Sequence, residues 1–416
     1  MKKNRIFALL SAVLFVLLSF TGCGQSYVPA EWEIPYSDSV DWKKFADAGI
    51  TLNVYNWGEY IAIADGEEES FDTIAEFEAL TGISVNYTNF SSNEEMYAKL
   101  KSGGTSYDII IPSDYMISRM INEGMLQQLN FDNIPNFQNI QEDLKNPGYD
   151  STGSYSVPYM WGTVGIIYNK TKVDEPAEKI ASWDILWNEK YAGNILMFSN
   201  SRDAFAIALM KLGYSFNTTD EKEIREAFDA LKEQKPLVQA YVMDEIYDKM
   251  GGGEAAVAPY YAGDAIVMMR DNPDLEFVVP KEGTNRFVDA MCIPVGAANK
   301  EAAELFINFM CEDLVGLKNC EYIGYATPNV NVMNLLDDEI KNNPIIYPDK
   351  EVLDNSDYFV ALPAEITLLI DNLWTELMSS ANGVDIWLLP ILVGVAIVVS
   401  ALLIFIRTKK KARNNY

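Results

Sequence analysis

The sequence predicts an α/β protein with two lobes around a ligand cleft and a transmembrane helix near its C-terminus. Strand and helix patterns alternate along the chain and restart once, which indicates two α/β units of similar size. We expect the chain to cross between these units near residues 159–162 and 287–289, so that neither lobe is one continuous segment. An apolar run without a charged side chain, 386–406, predicts the membrane helix.

The N-terminus has the layout of an export signal, predicted over residues 1–22. Basic residues come first, an apolar run follows, and small residues precede Cys23. The stretch Thr21, Gly22, Cys23 also fits a bacterial lipoprotein processing site, so Cys23 is the expected lipidation site. An uncleaved N-terminal anchor is the alternative. A polar linker, 23–44, leads into the folded body.

The first unit reads as strand, helix, strand, helix, strand, helix. Apolar positions of period two predict strands over 50–57 and 83–90, and amphipathic patterns ending in glycine predict helices over 69–82 and 93–104. The segment 107–126 then combines a short apolar strand, a break at a proline and another helix. This order predicts a mostly parallel sheet with helices on both faces.

The second unit follows the long apolar segment 154–169. We predict two lobes that each combine two segments. Lobe 1 comprises 45–161 and 289–326, and lobe 2 comprises 162–288 and 327–380. The predicted elements of this part are strands at 195–200 and 238–242, helices at 201–213 and 223–234, a helix end at 246–254, and strand-to-helix units at 255–271 and 289–313.

The predicted membrane helix, 386–406, would span roughly 30 Å at about 1.5 Å per residue, the thickness of a bilayer core. A basic tail, 407–416, follows it directly and should lie in the cytoplasm. The folded body would then lie outside the cell, attached to the cell membrane. A buried core helix with a basic tail is the alternative.

Composition excludes several kinds of site. The chain contains no histidine, which removes imidazole as a general base or zinc ligand. Apart from Cys23, the cysteines at 292, 311 and 320 stand apart, so we expect free thiols, no metal and no cofactor. The formal net charge of −28 should repel nucleic acid and attract cations, although an ordinary acidic surface would give the same charge.

The candidate ligand site is a set of aromatic and acidic residues at the ends of the predicted strands. Aromatic faces attract cations and cover methylene chains, and carboxylates pair with ammonium groups, so this set suits a linear aliphatic polycation. An amino acid would need a cation for its carboxylate, and only Arg202 is near. The candidates are Trp57, Glu59, Tyr60, Ser113, Tyr115, Asn200, Asp203, Tyr260, Tyr261, Asp264, Phe287, Asp289 and Tyr325.

Each candidate also has an ordinary structural explanation. Trp57, Tyr260 and Tyr261 are also compatible with the core. Acids such as Glu59, Asp203 and Asp264 could instead cap helix N-termini. The recurrence of the aromatic and acidic pairing at successive strand ends favours the binding site.

From residue 52 to about 358 the sequence resembles the substrate-binding proteins of spermidine/putrescine ABC transporters. The stretches that carry the resemblance are "YNWGEYI", "SNEEMYAKLKSG", "YDIIIPSDYMISRM", "YSVPYMWGTVGIIYN", "SWDILWNEKYAGNILM", "LMKLGYSFNTTDEKEI", "VVPKEG", "CIPVGAANKEAAELFINFM" and "IGYATPN". The resemblance implies a periplasmic-binding-protein-like fold of type II and a protonated polyamine held between aromatic walls by acids. It also implies ABC permease and ATPase subunits as partners.

Carried over by position, the resemblance retains Asp289 as the central amine-binding acid and Asp203 as a second acid. Asn200 replaces an aspartate of spermidine binders, whereas Asp264 matches the putrescine-specific branch, so putrescine is slightly favoured. The other carried-over positions are Trp57, Glu59, Tyr60, Ser113, Tyr115 and Tyr325 as retained residues, Tyr261 and Phe287 in place of tryptophans, and Phe359 in place of a glutamine.

Two other functions remain open from the sequence. The chain could be a membrane-tethered polyamine sensor, although its short tail has no signalling domain. An enzyme acting on polyamines would need a catalytic group, and neither a histidine nor a glycine-rich dinucleotide fingerprint is present. We therefore predict a binding protein that performs no chemistry.

Overall fold

The computed structural model describes residues 32–64, 70–104, 106–145 and 147–380. The strands are β1 (Thr51–Trp57), β2 (Ser84–Phe90), β3 (Ile109–Ile110), β4 (Ser156–Asn169), β5 (Ile195–Phe198), β6 (Val238–Val242), β7 (Val257–Tyr261), β8 (Leu275–Val278), β9 (Thr284–Cys292) and β10 (Ser356–Asp357).

The α-helices surround this sheet. They are α1 (Thr73–Thr81), α2 (Asn93–Lys101), α3 (Asp114–Asn122), α4 (Glu142–Lys145), α5 (Ala177–Ile180), α6 (Ser201–Lys211), α7 (Glu221–Gln234), α8 (Ala262–Asp271), α9 (Lys300–Met310), α10 (Asp313–Ile323), α11 (Val330–Leu335), α12 (Asp338–Lys341), α13 (Lys350–Asp354) and α14 (Ala364–Ser379). Short 3₁₀ turns and one π turn, Tyr247–Gly251, connect them.

The strands form one sheet path in the order β2-β1-β3-β9-β4-β7-β5-β6. Strands β1, β2 and β3 make parallel pairs at one end, and β5 pairs in parallel with β6 and β7 at the other. Each end therefore has the α/β order that the sequence predicts. Because the strands at each end of the sheet pair in parallel, their carboxyl ends lie at the same edge, where the chain turns into the helices.

The central pairs differ from the predicted mostly parallel sheet. Strand β4 runs antiparallel to β9 over its first part and antiparallel to β7 and β8 over its second. The long β4 thus passes from one half of the sheet to the other. The two predicted crossings lie side by side, since Met160 pairs with Asp289 and Gly162 pairs with Phe287. The lobe boundaries built on these crossings stay a prediction.

Helix capping fixes the segments that lead into the cleft. Ser92 Oγ accepts a hydrogen bond from Glu95 N at 3.1 Å and begins α2. Asn200 Oδ1 accepts from Asp203 N at 2.9 Å and begins α6. Each cap satisfies an N–H group that has no partner within its helix, so the first turn is held in place beside a strand end.

The prediction of a C-terminal transmembrane helix is not supported by the structure. Across 32–64, 70–104, 106–145 and 147–380, no helix is long and apolar enough to cross a membrane. The segment 386–406 and the tail 407–416 lie outside the described residues, so the structure supports the α/β fold but neither the predicted membrane helix nor a cytoplasmic tail. The predicted signal, 1–22, and Cys23 also lie outside. The three other cysteines are buried and free, as predicted.

Candidate ligand-binding site

A narrow cavity lies where the strand ends of both halves of the sheet meet. Its volume is about 60 Å³, several times the roughly 10–15 Å³ that one water needs. All predicted site residues except Glu59 line it, including Tyr260 and Phe359, together with Gly58, Asn93, Glu94, Met243, Asp244 and Asn285. Among these described lining residues are acids, amides and aromatics, but no lysine and no arginine.

Asp289 occupies the centre of this cavity wall and is only 5% exposed. Its carboxylate accepts a hydrogen bond from Tyr60 Oη at 2.8 Å and another from Ser113 Oγ at 2.6 Å. Ser113 is held in turn by Asn93, whose Oδ1 accepts from Ser113 N at 3.1 Å. Groups from the turn after β1 and from the start of α3 therefore orient the carboxylate that β9 carries.

Asp264 lies in the first turn of α8 and is held by two phenols. Tyr247 Oη donates to Oδ1 and Tyr325 Oη donates to Oδ2, each at 2.6 Å. The alternative that Asp264 is an N-cap is wrong, since Tyr261 occupies the cap position. Gly263 makes this geometry possible, because a Cβ there would overlap the Tyr325 ring.

Asp203 and Asn200 form the third polar group, at the start of α6. Tyr261 Oη donates to Asp203 Oδ2 at 2.9 Å, and Asn200 Nδ2 lies 3.4 Å from the same hydroxyl. Asn200 Oδ1 already accepts the capping hydrogen bond. The side-chain amide is neutral, so it brings no charge to the cavity. The N-terminal end of α6 favours the ionised form of Asp203.

Aromatic rings form the remaining walls and pack edge to face. The Phe287 ring lies 5.4 Å from Tyr261 and 5.9 Å from Tyr325, measured between centroids. Tyr60 lies 5.2 Å from Tyr325. Phe359 packs edge to face on Tyr115 at 5.6 Å. Such packing fixes the ring faces, so the cavity has rigid apolar sides between its acids.

Burial and mutual repulsion make these acids weak. Burial, followed by the charges of Asp203 and Asp264, raises the pKa of Asp289 to about 7. Burial also raises the pKa of Asp264 to about 6, with Asp244 and Glu59 adding to the effect. The pKa of Asp203 is raised for the same main reason, burial. Positive charge in the cavity would reverse these shifts.

Arg202 is a nearby buried cation, but it faces away from the cavity. Its guanidinium lies 4.5 Å from the Phe359 ring centroid and donates to Asn217 Oδ1 at 2.9 Å. Arg202 therefore supports the aromatic wall from behind. It does not offer its charge to a ligand carboxylate in the cavity.

Glu59 is the predicted site residue that the structure does not bring to the cavity. It is exposed and has a backbone φ of 49°, a left-handed conformation that few residues other than glycine adopt. The preceding Gly58 lies against Asp244, and a Cβ at position 58 would overlap that carboxylate. Asp244 lines the cavity beside Gly58, whereas Glu59 does not.

Sequence reasoning missed Tyr247, which holds Asp264, and the lining residues Asn93, Glu94, Met243, Asp244 and Asn285. Glu94 lines the cavity and accepts from Tyr115 Oη at 2.9 Å, and burial raises its pKa. Its place just after β2 is the same signal that identified the other candidates. Tyr247 lies in the π turn after β6, where no sequence pattern marks it. In the part of the chain that the structure describes, no cluster of acids and cysteines could hold a metal ion.

Comparisons with known proteins agree with this geometry. A family model described as bacterial extracellular solute-binding protein matches residues 72–348. The spermidine/putrescine-binding periplasmic protein of Escherichia coli is 38% identical over 314 residues, which are 75% of this chain and 87% of that protein. A putrescine-binding periplasmic protein of the same organism is 31% identical, over 73% and 84% of the two chains. The solved structure of a spermidine/putrescine ABC transporter substrate-binding protein from Streptococcus pneumoniae has a TM-score of 0.64 and 38% identity, covering 79% of this chain and 99% of that one.

Proposed function

The chain belongs to the bacterial extracellular solute-binding protein family, and on that premise we propose that it captures a protonated polyamine outside the cell for an ABC uptake system. The family resemblance inferred from the sequence is confirmed. The predictions of a solute-binding role and of no enzymatic activity are also confirmed by the family. The identity of the solute is the step proposed here.

The observation that carries the polyamine proposal is the charge of the cavity. Asp203, Asp264 and Asp289 lie among aromatic walls, and the described lining contains no lysine or arginine to neutralise them. A buried carboxylate without a counter-charge costs several kcal/mol unless it is protonated or paired. Two or more ammonium groups on the ligand would supply the missing charge.

The shape of the cavity favours an unbranched aliphatic chain. Its small volume excludes bulky ligands, and the ring faces of Phe287, Tyr261 and Tyr325 can cover methylene groups. A diamine or triamine has this form, with apolar methylenes between charged ends. A sugar would stack on the aromatic walls and hydrogen-bond to the acids, but it would bring no positive charge to neutralise them.

Within polyamines we favour a short diamine such as putrescine over spermidine. Asp264 provides a carboxylate held by Tyr247 and Tyr325, and Asp289 provides a second one held by Tyr60 and Ser113. At the third position Asn200 is uncharged and its oxygen is used as a helix cap. Losing one acid should weaken a trivalent ligand more than a divalent one.

The proposed mechanism is capture without chemistry. The polyamine binds between the halves, and the aromatic and acidic groups of both halves close around it, which favours the closed form. That closed form would dock on an ABC permease driven by an ATPase. Amine groups remain protonated at neutral pH, because their pKa values are near that of lysine.

The test is calorimetric titration of the full chain with putrescine, spermidine and 1-aminobutane. The last ligand has the carbon chain of putrescine but one ammonium group. We expect both polyamines to bind, putrescine more tightly, and 1-aminobutane to bind roughly 30-fold or more weakly, since a buried charge pair contributes about 2 kcal/mol or more. Equal binding of putrescine and 1-aminobutane would show that the acids do not recognise a second charge.

A further inference from the structure

Asp114 is a fully buried acid that the proposed capture of a polyamine does not use. It is the first residue of α3, it is 0% exposed, and it is not part of the cavity lining. Two backbone N–H groups donate to its carboxylate, Tyr115 N to Oδ1 at 2.6 Å and Val288 N to Oδ2 at 3.2 Å. Burying an acid is unfavourable, so its presence here needs an explanation.

Val288 lies where β9 has a neighbouring strand on one side only. It pairs with Trp161 of β4 on that side. On the other side no strand faces it, because β9 pairs with β3 and β10 only near its two ends. After β3 the chain reaches Pro112, which has no N–H group, and turns into α3. The side chain of Asp114 therefore takes the place of a strand and satisfies a buried N–H group.

Three consecutive residues at the start of α3 hold three consecutive residues of β9. Pro112 O accepts from Ala290 N at 3.1 Å, Ser113 Oγ donates to Asp289 Oδ1 at 2.6 Å, and Asp114 Oδ2 accepts from Val288 N at 3.2 Å. Asp114 thus fixes the backbone next to Asp289, while Ser113 fixes the carboxylate itself. Because side-chain direction in a strand follows the backbone, a rotation at Val288 would turn the Asp289 carboxylate.

Val288 also belongs to a hydrogen-bonded row that joins several chain segments. Trp161 pairs with Val288 and, on its other side, exchanges two hydrogen bonds with Ala326, at 3.0 and 3.2 Å. The lobe boundaries predicted from the sequence follow residues 161, 288 and 326, which are the three residues of this row. Asp114 adds a fourth segment to the row, at the place where we predict that the chain crosses between the lobes.

A carboxylate suits this place better than an amide. Both oxygens of Asp114 accept from an N–H group, whereas an asparagine would direct its own N–H₂ group at one of them. Burial raises the pKa of Asp114 well above its usual range, and the hydrogen bonds from Tyr115 and Val288 oppose that shift. The charge of Asp289 adds to the increase in this pKa, and the charge of Arg202 opposes it.

We infer that Asp114 is a positioning residue for Asp289, the central acid of the binding cavity. Asp114 does not contact the solute. It holds β9 at Val288, so that the Asp289 carboxylate meets Tyr60 and Ser113 in the orientation that receives an ammonium group. This role rests on the proposed function, in which Asp289 pairs with an amine of the solute.

The test compares Asp114→Asn with Asp150→Asn in the full chain, with urea unfolding to show that both variants fold. Asp150 is the matched control, because it is 1% exposed and also accepts from backbone N–H groups, those of Tyr155 and Ser156. It lies at the other end of the same strand pair, where Ser156 pairs with Cys292. Asp114→Asn should weaken putrescine binding at least several-fold, whereas Asp150→Asn should leave the dissociation constant unchanged.

Double-mutant cycles separate positioning from a general effect on folding. In an Asp289→Asn background, Asp114→Asn should have little further effect on putrescine affinity, because the carboxylate that it orients is gone. A second cycle uses urea unfolding of the ligand-free chain at pH 8. There Ser113→Ala should cost less stability in Asp114→Asn than in the wild type, since the hydrogen bond between Ser113 and Asp289 is already disturbed.

The second cycle needs no ligand, so it decides the inference even if the wild type does not bind putrescine and the proposed function fails. If Asp114→Asn does not fold, Asp114→Ser replaces it in every measurement, because serine keeps one acceptor and brings no N–H₂ group.

Two results would overturn the inference. The first is an equal change of putrescine affinity in Asp114→Asn and Asp150→Asn, as expected for a general loss of packing. The second is additivity in either cycle. If Asp114→Asn weakens putrescine as much in the Asp289→Asn background as in the wild type, Asp114 acts through its own charge. If Ser113→Ala costs the same stability in both backgrounds, Asp114 does not orient Asp289.

Discussion

Replacing Asp289 with asparagine should make the protein fold more stably and bind its ligand much more weakly. The substitution keeps the size of the side chain and removes its charge. In the folded protein, burial and the neighbouring acids raise the pKa of Asp289 from 3.8 to about 7. The folded state therefore favours the protonated form more strongly than the unfolded chain does.

The pH dependence of stability follows from the sign of this shift. Well below pH 3.8 the carboxyl is protonated in both states and costs nothing. As the pH rises from about 4 to 7, the unfolded chain loses the proton first, so the folded state loses stability. Between pH 4.5 and 8 the loss is about 3 kcal/mol, at about 1.4 kcal/mol per pKa unit. The Asp289→Asn variant has no carboxyl at this position and avoids the loss.

The assay is urea unfolding of the ligand-free full chain, for the wild type and Asp289→Asn, at pH 4.5 and pH 8. The stability advantage of the variant should grow by about 3 kcal/mol between the two conditions. In parallel, putrescine affinity at pH 8 should fall by about 2–5 kcal/mol, or roughly 30-fold or more. Ser113→Ala is the matched control, because it removes a hydrogen-bond donor but keeps the charge.

Two results would refute this reasoning. If Asp289→Asn is no more stable than the wild type at pH 8, the carboxylate is not strained by burial. If the variant binds putrescine within three-fold of the wild type, Asp289 does not pair with an ammonium group. Ser113→Ala should instead keep binding at high pH and shift the pH dependence upwards, since its hydrogen bond lowers the pKa of Asp289.

Three further predictions concern the same cavity. Putrescine binding at pH 7 should release on the order of half a proton, because Asp289 with a pKa of about 7 must ionise. Calorimetry in buffers of different ionisation enthalpy measures this, and proton uptake would contradict it. Asp264→Asn should weaken putrescine affinity roughly 30-fold or more. Glu59→Gln should change this affinity less than about three-fold, because a screened charge outside the cavity lining contributes little. Titration of both variants with putrescine compares them directly. Asn200→Asp should raise the spermidine-to-putrescine affinity ratio by about ten-fold, about 1.4 kcal/mol, and an unchanged ratio in competition titrations would remove Asn200 from ligand choice.

The architecture was predictable because each element carries a local signal. Strand β1 alternates apolar and polar positions, and α1 ends at Gly82, which adopts the left-handed conformation of a helix stop. The antiparallel pairing of β4 and β9 carries no such signal. Whether two strands pair in parallel depends on tertiary contacts far apart in the sequence, and here Ser156 pairs with Cys292.

The candidate site was predictable to the extent that strand ends converge. Asp203, Asp264 and Asp289 lie far apart in the sequence and meet because the strands deliver their ends to one edge. Glu59 is not part of the cavity lining, because Glu59 itself, directly after Gly58, has a left-handed backbone conformation that redirects the chain. Sequence spacing cannot reveal a φ of 49° at a glutamate. Tyr247 could not be predicted either, because the π turn that carries it has no periodic sequence pattern.

Stability and binding make opposite demands at the centre of this cavity. An asparagine at position 289 could still hydrogen-bond Tyr60 and Ser113, and it would avoid the repulsion from Asp203 and Asp264. A carboxylate there is useful only when positive charge arrives, because the ligand then removes a strain that already exists. Part of the binding free energy thus comes from relief of the repulsion among the acids. A monoamine neutralises one acid, whereas a diamine neutralises two. Ligand charge is therefore the main determinant of affinity, with chain length second.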